Sequence, residues 1–96
     1  MKKFVFLTYG YETPTQEIMD AWSNWFATIG DKIIDNGNPF GAGREITAAG
    51  TKELSLDKGA ITGYTIINAS NMDEAVKIAQ GCPIITSIRV YEAMSM

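Results

Sequence analysis

Residues 3–9, Lys-Phe-Val-Phe-Leu-Thr-Tyr, constrain this chain more than any other stretch. Side chains of a strand alternate between faces, so Phe4 and Phe6 point one way while Val5, Leu7 and Tyr9 point the other. A strand that is apolar on both sides has no solvent face, and each side of the sheet that holds it must be covered. The chain carries apolar helical periodicity for two helices, enough for one side. The other side is expected to be covered by a second copy of the chain.

Ninety-six residues make one domain, spanning residues 1–96. A chain of this size buries a modest core, and dimerisation is a common way to enlarge it. The net charge is -3 and the pI is about 4.7. The eight Lys and Arg are scattered, which argues against a nucleic-acid partner because phosphate binding needs a basic face. The single cysteine rules out an internal disulfide and fits a reducing cytoplasm. With no histidine, imidazole general catalysis and most transition-metal sites fall away, and neither metal nor cofactor is expected. The apolar run after Met1-Lys2-Lys3 is too short for a signal peptide, and no segment approaches the ~20 apolar residues of a membrane span. A cytoplasmic protein without a membrane partner is the expectation.

Down the chain, Thr13-Pro14-Thr15-Gln16 reads as a helix start, with Thr13 as cap, Pro14 at the first helical position and Gln16 closing a capping box. The helix is expected over 14–29, with Ile18, Trp22, Trp25, Phe26 and Ile29 on one stripe and Gly30 ending it. Residues 31–43 are turn-rich. Residues 44–47 and 51–56 form a hairpin about Ala48-Ala49-Gly50. A strand over 60–68 again uses both faces. Ser70 caps a second helix whose core face is Met72, Ala75, Val76 and Ala79, and Gly81 and Pro83 end it. A last strand over 86–92 puts Ile88 and Val90 on one face and Ser87, Arg89 and Tyr91 on the other. The order is strand, helix, hairpin or extended segment, strand, helix, strand. It predicts an α+β fold of the ferredoxin-like βαββαβ kind, an antiparallel sheet with two helices on one face. Val5, Leu7, Arg89 and Tyr91 then fall on the helix-free face, where two copies are expected to meet across a two-fold axis and bury roughly 1,200–2,000 Å².

Several short motifs, Gly63-Tyr64-Thr65-Ile66-Ile67, Ser70-x-x-Asp73-Glu74-Ala75, Cys82-Pro83 and Ile88-Arg89-Val90, together with the loop Asp35-Asn36-Gly37-Asn38-Pro39-Phe40 and the Lys58 lead-in to Gly63-Tyr64, resemble the YCII-related family. The resemblance spans nearly the whole chain. It implies a dimeric α/β barrel with a ligand cleft between the sheet and the first helix, and a relation to muconolactone isomerase-like proteins. The family's Asp-Gly-Pro-Phe motif is not matched near Thr51-Lys52-Glu53-Leu54, and the histidine of its His-Asp pair has no counterpart. What the resemblance implies is therefore a fold and an assembly, without the family's active pair.

Five residues are candidates for such a ligand site: Tyr9, Trp22, Asn38, Arg44 and Tyr64. Tyr9 and Tyr11 end the first strand, where a phenol donates to a ligand or forms an amphipathic interface edge. Trp22 and Trp25 line an aromatic pocket or fill core. Asn36, Asn38 and Arg44 bracket a Gly-rich loop; Arg44 clamps a carboxylate or stays a solvated charge. Asp57 and Lys58 form either a proton-transfer dyad or a turn. Arg89 binds an anion or pairs with an acid of a partner. Cys82, at a helix C-terminus, reads as a packing residue. Glu12, Glu17 and Asp20 read as the solvated start of a helix. Three functions stay open on these residues: a homodimer binding a small aromatic or carboxylate molecule, a non-catalytic binding or interaction module, and a cofactor-independent monooxygenase. Whether the chain is an enzyme is left open by its sequence.

Overall fold

The two-faced first stretch forms β1 (Lys2–Tyr9), and the aromatic stripe forms α1 (Gln16–Thr28). A 3-10 turn over Gly30–Lys32 leads into the short β2 (Ile33–Asp35). The hairpin β3 (Gly43–Thr47) and β4 (Gly50–Leu54) follows, then β5 (Ile61–Ala69), α2 (Met72–Ala79) and β6 (Ser87–Ala93). This computed structural model describes residues 1–95. It is an α+β fold with a four-stranded antiparallel sheet in the order β2-β5-β1-β6. Strands β3 and β4 form a separate two-stranded sheet.

The cross-strand register fixes which side chains share a face. Phe4 lies opposite Ile67 on one side and Glu92 on the other, and Phe6 lies between Thr65 and Val90. This face carries the core: Phe4, Phe6 and Ile67 are fully buried, with Ala69, Ala75, Ala79, Trp25, Ile29 and Cys82 packed around them. Both helices contribute to that cluster, so both cover the same side of the sheet. Thr65, the buried polar residue in the middle, donates its hydroxyl to the Asn36 carbonyl at 3.1 Å, so no bonding capacity is stranded there.

Local chemistry sets the element ends. Thr15, not Thr13, caps α1: its Oγ1 accepts from the Ile18 N–H at 3.2 Å, and Pro14 lies outside the helix. Gln16 reaches forward to the Asp20 carboxylate at 2.9 Å instead of back to the cap. Asn71, not Ser70, caps α2 by accepting from the Glu74 N–H at 2.9 Å. The core face of α2 is Ala75, Ile78 and Ala79, continued by Cys82, while Met72 and Val76 are exposed. Both stripes have the same helical spacing, so apolar periodicity alone does not choose between them. The close approach of a helix to a sheet favours the face where Ala75 and Ala79 are small.

The strand preceding the hairpin is a further correction. The sheet's fourth strand is not the hairpin but Ile33–Asp35, three residues inside the turn-rich stretch. Beyond it, the chain keeps to the edge of β5 through a Pro39–Gly63 bridge and a Phe40 N–H bond to the Thr62 carbonyl at 2.8 Å.

Candidate functional site

The sheet face opposite the helices is assembled from alternate residues of three strands. From β1 it takes Val5, Leu7 and Tyr9; from β5, Tyr64 and Ile66; from β6, Arg89 and Tyr91. Neighbours across the strands form rows. Tyr91, Val5 and Ile66 make one row, and Arg89, Leu7 and Tyr64 the next. No helix covers them, yet Val5, Leu7, Tyr64 and Ile66 are only half-exposed because they shield one another.

Polar groups stand at the two margins of this apolar strip. On one margin, the Arg89 guanidinium lies 4.6 Å from the centroid of the Tyr9 ring, a cation–π contact. On the other, the Tyr64 hydroxyl donates to Asp35 Oδ2 at 3.1 Å, and Phe40 stacks on the Tyr64 ring at 5.7 Å. Asp35 Oδ1 accepts from the Gly37 N–H at 2.8 Å, a turn that brings its carboxylate beside the phenol. The bond to Asp35 and its negative charge hold Tyr64 above the ordinary phenol pKa. The margin is thus a fixed carboxylate–phenol pair, able to accept from a donor or to meet a cation.

The space between α1 and the sheet is filled. Trp22, Trp25 and Phe26 contact one another at centroid distances of 5.3–5.7 Å, and Trp25 lies 6.1 Å from Phe6. The one polar atom of Trp25 donates to the Ile78 carbonyl at 3.0 Å, tying α1 to the end of α2. Tyr9 and Tyr64 therefore lie on the helix-free face, and Trp22 lies on the helix face. Asn38 borders Tyr64, and Arg44 stands on the exposed hairpin. No cleft within one chain brings all five together. Arg44 faces Glu53 at 4.0 Å with both side chains largely in water. Beside it, Ala42, Gly43, Glu53 and Leu54 border an open depression of about 400 Å³.

The remaining candidates take ordinary structural positions. Asp57 Oδ1 accepts from the Gly59 N–H at 2.9 Å, closing a turn ahead of β5 in which Lys58 makes no ion pair among the described residues. Tyr11 is exposed, and its N–H bonds the Asp57 carbonyl. Cys82 is buried, and desolvation pushes its thiol up to about 12. Among the described residues, no group of three or more Cys, Asp or Glu is arranged to hold a metal ion. No helix among them is long and apolar enough to cross a membrane. Asp35 is the candidate residue that sequence reading missed; its signal is the Asp-x-Gly spacing with Gly37, which marks a side-chain-closed turn. Compared with known proteins, the chain matches no family model and no curated protein.

Proposed function

We propose that this chain is a self-associating interaction module of the YCII-related, ferredoxin-like kind, working as a homodimer and carrying no catalytic pair. One observation carries the reading. The helix side of the sheet is covered by both helices, with Trp25 against Phe6 and Trp22 and Phe26 packed around it, whereas the other side presents Val5, Leu7, Ile66 and Tyr91 with no cover among the described residues. The β2-β5-β1-β6 order with both helices on one side supports the ferredoxin-like reading. An antiparallel sheet normally leaves one face polar when that face meets water, whereas the middle of this face is apolar, with polar groups at its margins. The absence of histidine and the mismatch at Thr51–Leu54 favour an assembly role over catalysis.

Sedimentation equilibrium across a wide concentration range tests this. The wild type is expected as a dimer at micromolar concentration. Val5→Asp and Leu7→Asp are each expected to give monomer, because each buries an unpaired carboxylate at the contact. A wild type that stays monomeric at high concentration overturns the reading.

A second reading, a small-molecule binder, is favoured by the Asp35–Tyr64–Phe40 margin, where a carboxylate, a phenol and a stacked ring meet. A thermal-shift screen of small aromatics and carboxylates addresses it. A ligand at a hundred times its dissociation constant stabilises by about 2.7 kcal/mol.

A further inference from the structure

The helix-free face has opposite charges at its two margins, Arg89 in the row of Leu7 and Tyr64, and Asp35 one row along, opposite Ile66. Arg89 stands on β6, Leu7 on β1 and Tyr64 on β5, and Asp35 of β2 takes the Tyr64 hydroxyl bond beyond them. Neighbouring strands are about 4.8 Å apart, so the cation and the carboxylate are held roughly 14 Å from each other across the sheet. They do not meet within one chain. Among the described residues, no ion pair involves either Arg89 or Asp35. The arginine rests on the Tyr9 ring, and the aspartate accepts only a backbone N–H and a phenol, which leaves its net charge uncompensated.

We infer that this polarity fixes how two copies meet: Arg89 of each copy pairs with Asp35 of the partner subunit. The inference rests on the self-association proposed above and specifies its geometry. Two sheets stacked face to face are related by a two-fold axis lying between them. An axis running along β1 exchanges left for right, so the cationic margin of one sheet lies over the anionic margin of the other. An axis running across the strands sets arginine against arginine and carboxylate against carboxylate. At the margins, charge complementarity favours the first arrangement over the second, and Lys3, on the same face at the exposed end of β1, is long enough to keep its ammonium in water. Stacked sheets lie about 10 Å apart, a gap that an arginine from one face and an aspartate from the other can bridge. The Leu7 and Val5 side chains then meet near the axis, and each dimer holds two ion pairs, one at either margin. Arginine suits this role because its planar fork engages a carboxylate through two parallel bonds while its flat face stays on Tyr9.

The test is a charge exchange read by sedimentation equilibrium, with far-UV circular dichroism as the check on folding. Arg89→Asp and Asp35→Arg each put like charges in contact at both margins, and each is expected to weaken dimerisation about tenfold or more. Mixing the two variants in equal amounts is expected to restore association, because in the mixed dimer both margins again pair opposite charges. If the wild type never dimerises, self-association itself fails. If the wild type dimerises and the two variants dimerise as tightly, or their mixture associates no better than either alone, the pairing fails while self-association stands. Asp35→Arg removes the turn bond to Gly37, so a gentler variant covers the case where it does not fold. Asp35→Asn keeps the shape of the side chain, and Arg89→Asp/Asp35→Asn is expected to dimerise more tightly than Arg89→Asp alone. An equal or weaker dimer overturns the pairing.

Discussion

Gly37 adopts φ +76°, and a Cβ added there runs into the carbonyl oxygen of Tyr64. Both the backbone angle and the close approach demand glycine. Gly37→Ala is expected to cost about 2 kcal/mol or more, read as a lowered midpoint in urea. The same turn presents Asp35 to Tyr64, whose phenol is held above its ordinary pKa of 10.0 by the carboxylate's hydrogen bond and charge. Because the folded pKa is the raised one, the stabilising contact is complete below the unfolded pKa and is lost as pH rises through the folded value. Ultraviolet titration should show Tyr64 ionising above the ordinary phenol value, and Asp35→Asn should lower it. Cys82 makes the converse point about burial. A thiol pushed up to about 12 by desolvation is almost wholly protonated at pH 8, so alkylation should be slow in the folded protein and fast once denaturant is added.

At the scale of elements, Trp25 does more than fill volume. It lies against Phe6 on the sheet, touches Trp22 and Phe26 on its own helix, and bonds the Ile78 carbonyl of α2. Trp25→Ala is expected to destabilise by about 3–5 kcal/mol, and Trp25→Phe by less, because most of the ring is kept and the Ile78 carbonyl still accepts from the Gly81 N–H. Calorimetry of the two variants separates packing from the hydrogen bond. These elements were legible in the sequence because their signals are long: five apolar residues at helical spacing for α1, and uninterrupted two-faced runs for β1 and β5. The second strand was not legible. Ile33–Asp35 is three residues long, lies among turn formers, and joins the sheet through an irregular register with β5. The caps slipped by one or two positions because Thr13 and Thr15, or Ser70 and Asn71, each offer a side-chain oxygen that accepts from an amide two or three residues on. Of the candidate site, the helix-free membership of Val5, Leu7, Arg89 and Tyr91 followed from alternation alone. Asp35 did not, since its place on that face depends on the irregular pairing of β2.

For the whole molecule, the question is where stability comes from when one sheet face has no cover. The subunit's helix side is a complete core, so a folded monomer is feasible. The exposed side adds to stability only when a second subunit removes Val5, Leu7, Ile66 and Tyr91 from water. Association of that kind stabilises by mass action. A tenfold rise in concentration favours a folded dimer over unfolded chains by about 1.4 kcal/mol, or about 0.7 kcal/mol per chain. For a domain of this length, that is a rise of roughly 3–6 °C in Tm. The wild type should therefore melt at a temperature that climbs with concentration, and Leu7→Asp should melt at one that does not. The separate β3–β4 hairpin provides an internal contrast. A two-stranded hairpin is marginal by itself in water, and nearly all of this one is exposed. Amide exchange should be fast over residues 43–54 and slow in β1 and β5, with the slow set gaining further protection at high concentration. Melting that ignores concentration, together with β1 amides whose protection is equally indifferent to it, would leave the greasy face facing water and remove the reason for a second subunit.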